Sequence, residues 1–88
     1  MNFLTEFDIV NATIKVLSKL RFTEPSVVPI DGGGLQLEWN VGSKHLELEF
    51  PNITDVVFLK DDNGIMDSGT VSVTEIDKIQ DLLNWLTV

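Results

Sequence analysis

The stretch that decides the fold is Gly32–Phe50, GGGLQLEWNVGSKHLELEF. Leu35, Leu37, Trp39 and Val41 alternate with Gln36, Glu38 and Asn40. Beyond Gly42-Ser43 the alternation resumes, with Leu46, Leu48 and Phe50 set against His45, Glu47 and Glu49. Period-two patterning broken by a short glycine turn predicts an antiparallel hairpin with one buried face. Glycine at the first central position suits a two-residue type II′ loop. The register then sets Trp39 opposite Leu46, Leu37 opposite Leu48 and Leu35 opposite Phe50. On the other face it sets Glu38 opposite Glu47, with His45 and Glu49 two residues away on the second strand.

Upstream, Ser26–Ile30 is a short β-branched run holding Pro29. Proline cannot donate to a ladder, so this run is expected as an edge strand. Asp31-Gly32-Gly33-Gly34 turns the chain into the hairpin through positive φ angles. It is not a phosphate loop: no Gly-Lys-Ser/Thr follows, and the next element is a strand. Downstream, Val56-Val57-Phe58-Leu59 predicts a strand with both faces partly covered. Asp61-Asp62-Asn63-Gly64 is a turn, Ile65-Met66 extends it as a loop, and a last strand is expected near Thr70–Val73. The acidic turn does not fit a calcium loop. Counted from Asp61, Ile65, Met66 and Ser72 occupy places that need an oxygen ligand, Gly and Glu.

Helices are expected at both ends. Thr5 caps the first, with Glu6 and Asp8 in the first turn, where the helix dipole favours acids. Its stripe is Phe3, Phe7, Val10, Ile14 and Leu17, widened by Ile9, Ala12, Val16 and Leu20. Lys19 and Arg21 suit its C-terminal end, which comes before Pro25. Thr74-Glu75-Ile76-Asp77 repeats the Thr cap with following acids, and Ile76, Ile79, Leu83 and Leu86, beside Leu82 and Trp85, form the second stripe. The order helix, four or five short strands, helix predicts one α+β domain over residues 1–88. In it an antiparallel meander carries both helices on the face of Leu37, Trp39, Leu46, Leu48 and Phe50.

Fourteen acidic residues oppose six basic ones, for a net charge of −8. Such a chain repels phosphate backbones, which argues against nucleic-acid binding. The charge serves solubility, or steers the chain toward a basic partner. No apolar run approaches the ~20 residues of a membrane span. MNFLTEFDIV has no basic region ahead of its apolar residues, so it does not read as a signal peptide. With no cysteine, neither disulfides nor a thiolate metal site are available, and a cytoplasmic setting is expected.

Gly33-Gly34-Leu35-Gln36-Leu37-Glu38-Trp39, Leu46-Glu47-Leu48-Glu49 and Asn84-Trp85-Leu86, together with Pro29, resemble the pattern of a group of small bacterial proteins without established function. The resemblance covers most of Pro25–Val88. It implies the helix, proline-containing strand, hairpin and closing Leu-rich helix, and it supplies no catalytic residue. The Trp-Asp-Gly motif that many of those proteins carry ahead of the first helix is missing here.

Chemistry is sparsely signalled. There is no cysteine, no Gly-x-Ser-x-Gly elbow and a single histidine, His45. No cofactor is indicated. The outer hairpin face draws attention because like charges directly opposite destabilise a sheet, so something must offset Glu38 against Glu47. Lys60 from the next strand is one expected source. A divalent cation on Glu38, His45 and Glu47 is another, and a basic partner surface a third. The leading expectation is a non-enzymatic module that binds a basic protein through Glu38, His45, Glu47 and Glu49, in the manner of an antitoxin, an immunity protein or a phage anti-defence inhibitor. The alternatives are a metal-dependent or carboxylate enzyme on the same face, and a homo-oligomer built through the Pro29 edge or a helix flank around Leu4, Ile9 and Leu82.

Overall fold

The computed structural model describes residues 6–88. Its elements are α1 (Glu6–Leu17), β1 (Ser26–Pro29), β2 (Leu35–Val41), β3 (Lys44–Phe50), β4 (Asp55–Asp62), β5 (Ile65–Ser72) and α2 (Ile76–Trp85). The five strands form one sheet in the order β1-β2-β3-β4-β5, every pair antiparallel. The expected α+β meander is the fold observed.

The central hairpin takes the register its alternation demands: Leu35 faces Phe50, Leu37 faces Leu48, Glu38 faces Glu47 and Trp39 faces Leu46. Gly42 turns it with φ of 60°, as a type II′ loop requires. Gly32 and Gly33 hold φ of 93° and 104° in the turn from β1 to β2. Gly34 is needed for a different reason. A Cβ there would lie 2.5 Å from the Phe50 carbonyl oxygen, closer than any side chain can approach backbone.

One face of the sheet carries the core. Leu37, Trp39, Leu46, Leu48, Phe50 and Val56 pack with Val16 and Leu20 from the first helical region and with Ile79, Leu83 and Leu86 from the second. Both helical regions therefore cover the same face, as expected. Each large apolar side chain buried here contributes roughly 1.5–3 kcal/mol. Trp39, almost fully buried, donates its indole N–H to the Thr23 carbonyl at 2.8 Å, so its one polar atom is satisfied. The edge of Phe22 meets its ring, the two centroids 6.2 Å apart.

Several local expectations are corrected. The buried face of α1 is Ile9, Thr13 and Val16, while Ile14 is 55% exposed. Thr13 can join this face because its hydroxyl donates to the Ile9 carbonyl at 2.8 Å, which hides its polarity within the helix. Ile9, expected on an oligomer flank with Leu4 and Leu82, is buried. The helix ends at Leu17, so Lys19 and Arg21 lie beyond it. The Thr5 cap, Phe3, Leu4 and the Phe7 side chain lie outside the described residues.

The turn after β4 is also tighter than expected. Asn63 and Gly64, with φ of 55° and 91°, form a two-residue loop, and Asp62 already faces Ile65. Positive φ at both central residues is the type I′ geometry that Asn-Gly favours. Ile65 and Met66 thus begin β5 rather than extend a loop. At α2 the residue preceding the helix is Glu75, with no side-chain cap, and the Thr74 hydroxyl meets that of Ser72 at 2.8 Å. The Glu75 carboxylate instead accepts the Ser72 backbone N–H at 2.9 Å and pairs with Lys78 at 2.6 Å. Among the described residues, no helix is long and apolar enough to cross a membrane.

Candidate functional site

Alternation along the strands dictates what reaches the uncovered face. Glu38 faces Glu47, Asn40 faces His45 and Gln36 faces Glu49. His45 faces Asp61, Glu47 faces Leu59 and Glu49 faces Val57 on the next strand. Asp55 lies across from Ser72. Among the described residues this face therefore holds the carboxylates of Glu38, Glu47, Glu49, Asp55 and Asp61, one histidine, and no strand lysine or arginine.

The expected neutralisation by Lys60 does not occur. Lys60 faces Leu46 across the ladder, so strand parity sends it to the helix-covered face. There its ammonium lies 5.1 Å from the centre of the Trp85 ring, at the same distance as that of Lys44. Lys44 also donates to the carbonyls of Trp85 and Val88, each at 2.8 Å, tying the C-terminal end of α2 to the sheet. The two strand cations that could have offset the glutamates are committed to one indole ring on the opposite side.

What connects the outer glutamates is an amide. Gln36 Nε2 donates to Glu38 Oε1 at 2.7 Å and to Glu47 Oε1 at 2.9 Å. The second Glu47 oxygen, Oε2, lies 2.8 Å from His45 Nε2. His45 Nδ1 in turn lies 2.8 Å from Asn40 Oδ1. The His45 and Glu47 side chains are 28% and 26% exposed, so the chain Asn40–His45–Glu47–Gln36–Glu38 is a network on paired strands, half-buried from His45 to Glu38 and exposed at Asn40. One potential ligand atom from each of Glu38, His45 and Glu47 falls within 4.8 Å of the other two. Glu49 shares the face but stands outside this group. Sequence reading missed Gln36 and Asn40 as partners. Both were available from the register, which places Asn40 beside His45 and Gln36 on the same side as Glu38.

A concave feature lies elsewhere. A cavity of about 440 Å³ is lined by Phe22, Trp39, Leu83 and Leu86, with Arg21 its single ionisable group. That lining offers no acid–base pair, and its hydroxyls are those of Thr23 and Thr87. Proton affinities are shifted at the start of α2. Glu75 is held below its ordinary carboxylate range by hydrogen bonding from Lys78 and then from the Ser72 amide, and Lys78 is raised by the same pairing.

No known family model, curated protein or solved structure matches this chain. The functional reading therefore rests on the residues themselves.

Proposed function

We propose that this chain is a protein-binding module whose uncovered sheet face, centred on Glu38, Glu47 and Glu49, docks a basic surface on another protein. The observation that carries the reading is the segregation of the strand lysines to one side of the sheet. Acids of three strands share one face, and both strand lysines are withdrawn to the other. A face of one charge sign accelerates encounter with a partner of the opposite sign and disfavours like-charged competitors. An enzymatic reading has less support, because the acids lie on a sheet face that neither described helix covers rather than in a cleft that excludes water.

Affinity purification from the native host, with wild type beside the Glu38→Gln, Glu47→Gln, Glu49→Gln triple variant, tests this. A basic protein is expected on the wild-type bait at low salt, lost on the variant and lost from wild type as salt rises. Equal recovery on a folded variant removes the case for this face.

A further inference from the structure

We propose that Glu38, His45 and Glu47 form a binding site for one divalent transition-metal cation of the zinc class. The inference goes beyond the docking role of the face and does not require it.

The site rests on convergence: one ligand atom each from Glu38, His45 and Glu47 lies within 4.8 Å of the other two. Asn40 Oδ1 stands 2.8 Å from His45 Nδ1, and an amide oxygen only accepts, so a ring protonated at Nδ1 satisfies it and offers Nε2 as the ligand nitrogen. Nε2 stands 2.8 Å from Glu47 Oε2. Glu38 faces Glu47 directly, and among the described residues no strand lysine or arginine reaches this face. A divalent cation balances both carboxylates and uses the Nε2 lone pair.

The surroundings match what metal-ligating residues require. A ligating histidine usually donates its other ring N–H to an oxygen, which fixes the tautomer and ring orientation. Asn40 provides that oxygen. Ligating carboxylates are themselves held by hydrogen bonds. Gln36 holds one oxygen of each glutamate through Oε1, leaving Oε2 of Glu47 turned toward His45. Ligand atoms about 2.0–2.2 Å from a zinc ion stand about 3.3–3.6 Å apart around a tetrahedron. The Nε2–Oε2 gap of 2.8 Å opens to this, and the longer separations within the 4.8 Å group close, by rotation about glutamate torsions. Three protein ligands leave a position for water. A mixed imidazole and carboxylate set favours zinc and its transition-metal neighbours over magnesium, which prefers an all-oxygen shell.

The test is calorimetric titration of chelator-stripped, full-length protein with zinc chloride, and separately with magnesium chloride, at neutral pH. Saturable uptake of one zinc ion per chain is expected, with magnesium at least tenfold weaker. His45→Ala and Glu38→Gln should each weaken zinc binding at least tenfold, and Asn40→Ala by about 10–100-fold through loss of ring orientation. Glu49→Gln should leave it unchanged. That variant separates the two readings, because Glu49 belongs to the docking face and not to the metal site. The amide spectrum of each variant establishes that it is folded. Absence of one-to-one zinc uptake by wild type overturns the proposal, as does unchanged uptake by folded His45→Ala protein.

Discussion

Glu38 and Glu47 face each other directly across β2 and β3, and one side-chain amide, that of Gln36, donates to both. The donations orient the carboxylates without supplying charge, so the repulsion that cross-strand like pairs carry is not removed. Glu38→Gln keeps the shape and deletes one charge. In metal-free protein it is expected to raise stability by up to about 1 kcal/mol, and the gain should shrink as salt screens the exposed part of the repulsion. Urea unfolding at low and high ionic strength reads both effects. A stability loss would mean that the glutamate pair already has a counter-charge.

Gly34 and Gly69 provide an internal comparison of what a single methyl group meets. At Gly34 a Cβ lands 2.5 Å from the Phe50 carbonyl oxygen, whereas at Gly69 it lands 3.0 Å from atoms of the Phe58 ring. Backbone paired in a ladder cannot yield, but a half-buried ring can turn. Gly34→Ala is expected to cost about 1–3 kcal/mol and Gly69→Ala measurably less. Chemical denaturation of the two variants checks the order, and equal losses would show that the β2 entrance is more compliant than its geometry indicates.

Glu75 gives the stability a defined dependence on pH. Its carboxyl is held below the ordinary value of 4.5 by the Lys78 hydrogen bond and the Ser72 amide. A carboxyl with a lowered folded-state value contributes stability that is present above the unfolded value and is lost as pH falls through the folded one. Lys78, raised above 10.5 by the same partner, contributes below its unfolded value and loses that contribution as pH rises through the folded one. Glu75→Gln should therefore flatten the acid limb of the stability curve below about pH 4.5 and the alkaline limb above about pH 10.5. Melting temperature followed across both limits tests this, and unchanged limbs would show that the pair does not form in solution.

The central hairpin was legible because strict alternation leaves only one register that buries Leu37, Trp39, Leu46 and Leu48 together, and the Glu38–Glu47 opposition follows from that register. The side taken by Lys60 was not legible. Val56-Val57-Phe58-Leu59 is apolar throughout, so it carries no parity signal, and only pairing with β3 shows that Val56, Phe58 and Lys60 share the helix-covered face. The start of β5 was hidden for a related reason. Ile65 and Met66 are 80% and 61% exposed, which gives no inside–outside contrast, yet the tight Asn63-Gly64 loop makes pairing begin at once. In α1, apolar residues on two flanks offered two stripes. Thr13 decided between them through a hydroxyl bond that composition does not announce.

Lys60 provides a check on the division of charge across the sheet. Its ammonium sits 5.1 Å from the centre of the Trp85 ring and 3.9 Å from Asp67, on the far side of the sheet from Glu38 and Glu47. Lys60→Met keeps most of the apolar stem over the indole and removes the charge, so the expected loss is that of a partly exposed cation–π contact, about 0.5–1 kcal/mol. The Trp85 indole N–H resonance should shift, while the side-chain amide resonances of Gln36 and the ring resonances of His45 stay in place. If Lys60 instead reached the glutamates, the outer-face resonances would move and that of Trp85 would not. Retention of the outer-face signals alongside the Trp85 shift is the pattern that strand parity requires, because a side chain on one face of a pleated sheet cannot neutralise charges on the other.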